Sequence, residues 1–127
     1  MFHITALYAG LIGLFYTYIS LHVSLGRKAH QISMGDGGQA DLNTRIRAHG
    51  NFSEYAPITL ILIGLSEAQG APAFVLHGAG IALLATRAAN FFGLKSSTGY
   101  KLRFYGALTT YLLLLFLSLA VLGHALF

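Results

Sequence analysis

The sequence predicts an all-α integral membrane protein, a bundle of four spanning helices, and three observations carry that prediction. Of the 127 residues 55% are hydrophobic and only 9% charged, where a soluble domain carries about 25% charged residues. Mean hydropathy is +0.64. The apolar residues gather into four stretches, each long enough to cross a bilayer, with little chain between them. One domain, residues 1–127, is expected, because four spans consume nearly the whole length. Cysteine is absent, which excludes a disulfide frame, a thiolate nucleophile and a Cys-based metal site.

The first stretch, Phe2 to Leu25, holds no formally charged residue and as a helix measures about 36 Å. No basic leader opens it and no small-residue cleavage site precedes Gly26-Arg27-Lys28, so it reads as a retained span rather than a signal peptide. The second, Leu42 to Ser66, is polar in its first half and apolar from Ala56 to Leu65. Glu67 to Pro72 reads as a short turn. The third stretch starts at Pro72, whose missing N–H suits a first helical turn. It continues to Phe92 and is interrupted by Arg87. The fourth, Tyr100 to Leu126, carries Lys101 and Arg103 in its first turns. Small residues four apart (Ala6/Gly10, Ala9/Gly13, Gly78/Ala82) suit close helix packing in lipid as well as they suit ordinary Gly and Ala usage.

Charge orders these spans. The formal net charge is +4, but the basic residues sit beside apolar spans. They read as topology signals and as sites for anionic ligands or membrane lipids, not as a nucleic-acid surface. Arg27, Lys28, Arg45 and Arg47 surround the first loop, and Lys95, Lys101 and Arg103 surround the loop from Leu94 to Gly99. The turn after Glu67 has neither lysine nor arginine. Both basic loops are therefore expected in the cytoplasm and both termini on the opposite side. Arg45, Arg47, Glu54, Arg87 and Arg103 then fall in the cytoplasmic half.

Charges inside a bilayer persist where they pair, line a polar cavity or meet a ligand. With Arg47 as zero, Asn51 lies about 40° to one side on a helix and Glu54 about 20° to the other, so the three share a stripe. Arg45 and His49 fall on the far side, where Arg45 is expected to snorkel to lipid headgroups. Arg87 and Asn90 share a face of the third span, and Arg103, Gly106 and Thr110 a face of the fourth. Glu54 is expected to face several arginines, leaving surplus positive charge that suits an anion. The competing reading is an internal ion-pair network of Arg47, Glu54 and Arg87. Arg47→Ala or Glu54→Ala is expected to destabilise the bundle whether the protein is an enzyme, a binder or a structural subunit. Arg103 has its own alternative, an anchor to lipid phosphate. Tyr55, next to Glu54, reaches the site edge or packs. The six histidines (His3, His22, His30, His49, His77, His124) show neither H-E-x-x-H nor an i, i+4 pair, so no metal site is expected. Gly35-Asp36-Gly37-Gly38 lacks the spacing of a phosphate loop and reads as a flexible turn.

Arg47-Ala48-His49-x-Asn51-x-x-Glu54-Tyr55-x-Pro57 resembles the second-helix motif of the MAPEG family, membrane-associated proteins in eicosanoid and glutathione metabolism. The Gly-Asp-Gly-Gly loop is typical of its small bacterial members. Arg87 on the third helix and Arg103-x-x-Gly106 on the fourth extend the resemblance along the chain. It implies a homotrimer in the bacterial inner membrane, with glutathione bound as co-substrate between neighbouring subunits near the cytoplasmic face. Arg47, Asn51 and Glu54 match positions that contact glutathione, and Tyr55, Arg87 and Asn90 fall beside them. Arg103 matches the arginine that stabilises the glutathione thiolate, which implies a transferase or peroxidase acting on a lipophilic molecule from the bilayer. The chain also departs from the glutathione-using enzymes. Asn90 stands where they commonly carry tyrosine or histidine, and Leu94 stands where the synthases have tyrosine. The loop before Arg103 is about two residues longer, which makes Lys101 a rival for its role. The resemblance therefore also admits a non-catalytic lipid- or glutathione-binding protein, or a structural subunit, of the same fold.

Overall fold

The computed structural model describes residues 1–95 and 99–127, so the middle of the loop expected from Leu94 to Gly99 lies outside the described residues. Four helices make up the fold: α1 His3–His30, α2 Ala40–Ala68, α3 Ala73–Lys95 and α4 Tyr100–Leu126. At 1.5 Å per residue they measure about 35 to 44 Å, longer than the ~30 Å hydrocarbon core. Three of them, α1, α3 and α4, are apolar enough to cross a membrane by composition. The first half of α2, with Asp41, Arg45, Arg47 and Glu54, sets it apart. The protein is an all-α four-helix membrane bundle.

Helices α2 and α3 form its centre: α1 packs on both, α4 packs on both, and no contact joins α1 to α4 among the described residues. The core runs the length of this seam through Ile12, Ile19, Phe52, Ile63, Leu76, Leu83, Phe91 and Leu117. Large apolar side chains also face outward. On α1 these are Leu7, Leu11, Leu14, Tyr18, Leu21 and Leu25, spaced three or four apart so that they form one stripe. Such a stripe suits lipid or a neighbouring helix, since hydrocarbon does not penalise it.

The small-residue pairs do not do the packing within the protomer. A Cβ at Gly10, Gly13 or Gly78 would meet nothing within 4 Å, because these glycines lie on outward faces. Close approach occurs elsewhere. A Cβ at Gly93 would lie 2.5 Å from Arg103 Cγ and 3.1 Å from the Gly99 carbonyl oxygen. The absence of a side chain there lets the start of α4 press onto the end of α3.

Glu67 is not part of a loose turn. It ends α2, and its carboxylate accepts hydrogen bonds from the backbone N–H of Ile4 (2.9 Å) and Thr5 (3.0 Å), the first turn of α1. Two donors that a helix start leaves unpaired are thereby satisfied, and a negative charge meets the positive end of the helix dipole. Desolvation pushes the carboxyl pKa up, but the Thr5 and Ile4 hydrogen bonds outweigh it and hold the group below its ordinary value. The glycine-rich loop is also closed rather than loose. Arg27 donates to the Gly35 carbonyl at 2.7 Å, and Asp36 accepts from the Gly38 N–H at 2.9 Å. Gly35, Gly37 and Gly38 supply its left-handed turns.

Candidate functional site

Antiparallel packing brings the end of α1, the start of α2, the end of α3 and the start of α4 to one end of the bundle, and all eight lysines and arginines fall in that half. The deepest is Arg87, only 2% exposed. Its Nη1 donates to the side-chain oxygen of Asn51 on α2. Its Nη2 donates to the hydroxyl of Thr110 on α4 at 2.5 Å. Thr110 donates its own proton to the Gly106 carbonyl at 2.7 Å, so its oxygen is free to accept. The guanidinium carbon lies 5.3 Å from the centre of the Tyr55 ring, a cation–π distance. Nε has no partner. Among the described residues no carboxylate pairs with Arg87. A buried cation held only by neutral acceptors and an aromatic face is incompletely compensated, and an anion nearby would stabilise it.

Beside Asn51 a surface cavity of about 300 Å³ is lined by Asn51, Asn90, Tyr100, Arg103, Phe104 and Ala107. Three of the residues singled out in the sequence thus meet in one concavity; Arg87 supports it from behind through Asn51, and Tyr55 lies against Arg87. Arg103 lines it and Lys101 does not. The stem of Arg103 reaches the cavity across Gly93, the close contact described above.

Arg47 and Glu54 are elsewhere. Both are exposed, and neither forms an ion pair among the described residues. The expectation that Glu54 faces the arginines is therefore corrected within the protomer, and so is the Arg47–Glu54–Arg87 network. The reason is rotational. The buried stripe of α2 (Ala48, Phe52, Ala56, Thr59, Ile63) is centred roughly 140° round the helix from Arg47, at ~100° per residue. Asn51 and Tyr55 lie on the near flank of that stripe and turn in, while Arg47 and Glu54 point almost directly away. Arg45 is corrected too. It does not snorkel outward; it donates to the His22 carbonyl at 2.7 Å and pairs with Asp41 at 3.2 Å. Its i−4 carboxylate and the His22 carbonyl hold it against α1.

Sequence reasoning passed over Gly93, whose lack of a side chain seats Arg103, and Glu67, which holds α1 from the opposite end. A glycine in the last turn of a helix gives no local sign of what crosses it. Glu67 was visible as the lone acid of its turn, but its partners are 62 and 63 residues away. Among the described residues no group of three or more His, Asp or Glu is placed to hold a metal.

Residues 5–123 match the model of the MAPEG family. The chain is 36% identical over 121 residues to the inner membrane protein YecN of Escherichia coli K12, a match covering 95% of this chain and 92% of that protein. The YecN of E. coli O6:H1 strain CFT073 matches to the same extent. No solved structure matches significantly.

Proposed function

The chain belongs to the MAPEG family, and from that premise we propose that it is a glutathione-dependent membrane transferase or peroxidase, working as a homotrimer in a bacterial inner membrane. The observation that carries the reading is Arg87, buried without a carboxylate, beside a cavity lined by Asn51, Asn90 and Arg103. Two arginines and two amides favour a ligand with more than one carboxylate, and glutathione has two beside a single ammonium. In the homotrimer Arg47 and Glu54, which point out of the protomer, reach a ligand held between subunits, Arg47 at a carboxylate and Glu54 at the ammonium.

Arg103 acts on the sulfur. A guanidinium within hydrogen-bond reach stabilises a thiolate over a thiol, so more of the nucleophile is present at neutral pH. The thiol proton passes to solvent; sulfur then bonds to an electrophilic carbon, and the leaving group departs with the displaced electron pair. With a lipid hydroperoxide, sulfur takes the terminal oxygen as the O–O bond breaks, the alkoxide takes up a proton to leave as alcohol, and a second glutathione releases water and the disulfide. By the positive-inside rule the proposed site faces the cytoplasm, with both termini across the membrane.

The second reading is a binder of glutathione or lipid without turnover, favoured by Asn90 and Leu94, neither of which carries the aromatic hydroxyl or imidazole of its counterparts. Ultraviolet difference absorbance of the detergent-purified protein, titrated with glutathione beside Arg103→Ala, separates the two. A saturable thiolate band at neutral pH, absent from the variant, is the expected result. Calorimetric binding without the band makes the protein a binder. No binding at all removes the glutathione reading.

A further inference from the structure

The geometry points to a second anion site at the basic end, a cavity between α1, α2 and α3 that takes the phosphate of an anionic phospholipid. The cavity measures about 250 Å³, with His22, Asp41, Thr44, Arg45 and Lys95 on its wall and Phe91 on its floor. It shares no lining residue with the Arg103 cavity.

Its cations are placed, not merely nearby. Arg45 crosses α1 at Gly26, where a Cβ would stand 2.6 Å from its Cδ. The Nη1–His22 carbonyl bond and the ion pair with Asp41 then fix the guanidinium. The Lys95 ammonium sits 4.8 Å from the Phe91 ring centre and pairs with no carboxylate among the described residues. The charges facing the cavity are Arg45 and Lys95 against Asp41, which already serves His30 at 3.1 Å. Two cations against one carboxylate leave one positive charge over. His22, whose Nδ1 faces Arg45 Nη1, adds a ring N–H able to donate to a phosphate oxygen.

Depth and floor decide the source of that phosphate. His22 lies just before the end of the first apolar stretch and Lys95 closes α3, so the cavity stands at headgroup level. On its hydrocarbon side Tyr18, one turn before His22, is about half exposed and packs edge-on against Phe91 with centroids 5.8 Å apart, and the exposed Phe92 ring flanks Phe91 at 5.2 Å. That aromatic shelf gives an acyl chain a surface below the phosphate, which a free phosphate would leave unused.

Native mass spectrometry of the whole protein, released from micelles carrying equal phosphatidylglycerol and phosphatidylcholine, tests this. Phosphatidylglycerol is expected to be retained preferentially. Lys95→Gln, a change at an exposed residue that leaves packing intact, should lower that retention about fivefold, as for one basic group at a membrane surface. Arg45→Gln should do at least as much, while Lys28→Gln on the exposed side of α1 leaves it unchanged. Equal losses from Lys28→Gln and Lys95→Gln would reduce the effect to diffuse basic charge and overturn the site, as would absence of any lipid preference. Displacement of the lipid by excess inorganic phosphate would assign the cavity to a soluble anion instead. Displacement by glutathione, lost in Lys95→Gln, would merge it with the glutathione site. Either result overturns the lipid assignment.

Discussion

Arg87 is the residue on which the proposed anion site turns. Its guanidinium is held by the Asn51 amide, the Thr110 hydroxyl and the Tyr55 ring, all of them neutral. Asn51→Asp would place a carboxylate at that contact. Thermal stability is then expected to hold or rise, because the buried charge gains a counter-ion, while glutathione affinity falls at least about tenfold because the surplus charge is gone. Melting curves and calorimetry on the same variant read both effects, and a fall in stability would show that Arg87 is already compensated. Gly93→Ala acts on Arg103 without touching its charge. The added methyl stands 2.5 Å from Arg103 Cγ and 3.1 Å from the Gly99 oxygen, so Arg103 must move. The thiolate band should weaken severalfold while the protein stays assembled, as size-exclusion chromatography would show.

Among the elements, α1 is held at its start by a distant residue. Glu67 binds two of its first N–H groups, and Glu67→Gln is expected to cost about 1 kcal/mol, as for loss of a helix cap. The sign of the pH dependence follows from the depressed carboxyl pKa. Its contribution is present in full above the ordinary carboxylate value and is lost as pH falls through the folded-state value. Asp41 is lowered as well, chiefly by its hydrogen bond from His30 and then by Arg45, so it adds an acid-side loss of the same sign. Only the difference between wild type and Glu67→Gln isolates the cap. That difference should be largest at neutral pH and vanish in acid, and a difference independent of pH would refute it. Helix α2 carries the other lesson at this scale. Its polar half is two-faced, with Asn51 and Tyr55 turned toward Arg87 while Arg47 and Glu54 turn away.

For the whole molecule, the outward stripe of α2 is what an assembly has to satisfy. Charges on a membrane-embedded surface are costly unless they meet a partner, and Arg47 and Glu54 find none within the described residues of one protomer. Arg47→Gln and Glu54→Gln are thus expected to leave the fold of the protomer intact, as read by helicity, and to weaken the proposed trimer or the proposed binding of glutathione. Light scattering in detergent should give three copies for the wild type and a smaller species, or a weaker ligand, for the variants. Loss of helicity in either variant would return these residues to an intramolecular role. This reverses the expectation that both substitutions destabilise the bundle, because their partners are not where the stripe alone implied.

Composition and hydropathy sufficed for the class of fold, since apolar stretches of about 20 residues satisfy their backbone polar groups in lipid by coiling into helices. The spacing of Arg47, Asn51 and Glu54 marked the polar half of α2, and the motif around it named the family. The direction each of those side chains takes was decided by the tertiary structure, because the helix rotation that buries Ala48, Phe52 and Ala56 determines which edge of the stripe turns in. The pairing of Arg87 with Thr110, 23 residues on, the seat of Arg103 on Gly93 and the grip of Glu67 on α1 were settled at the same level. Each joins residues on separate helices, and a local pattern holds no record of which helices will meet.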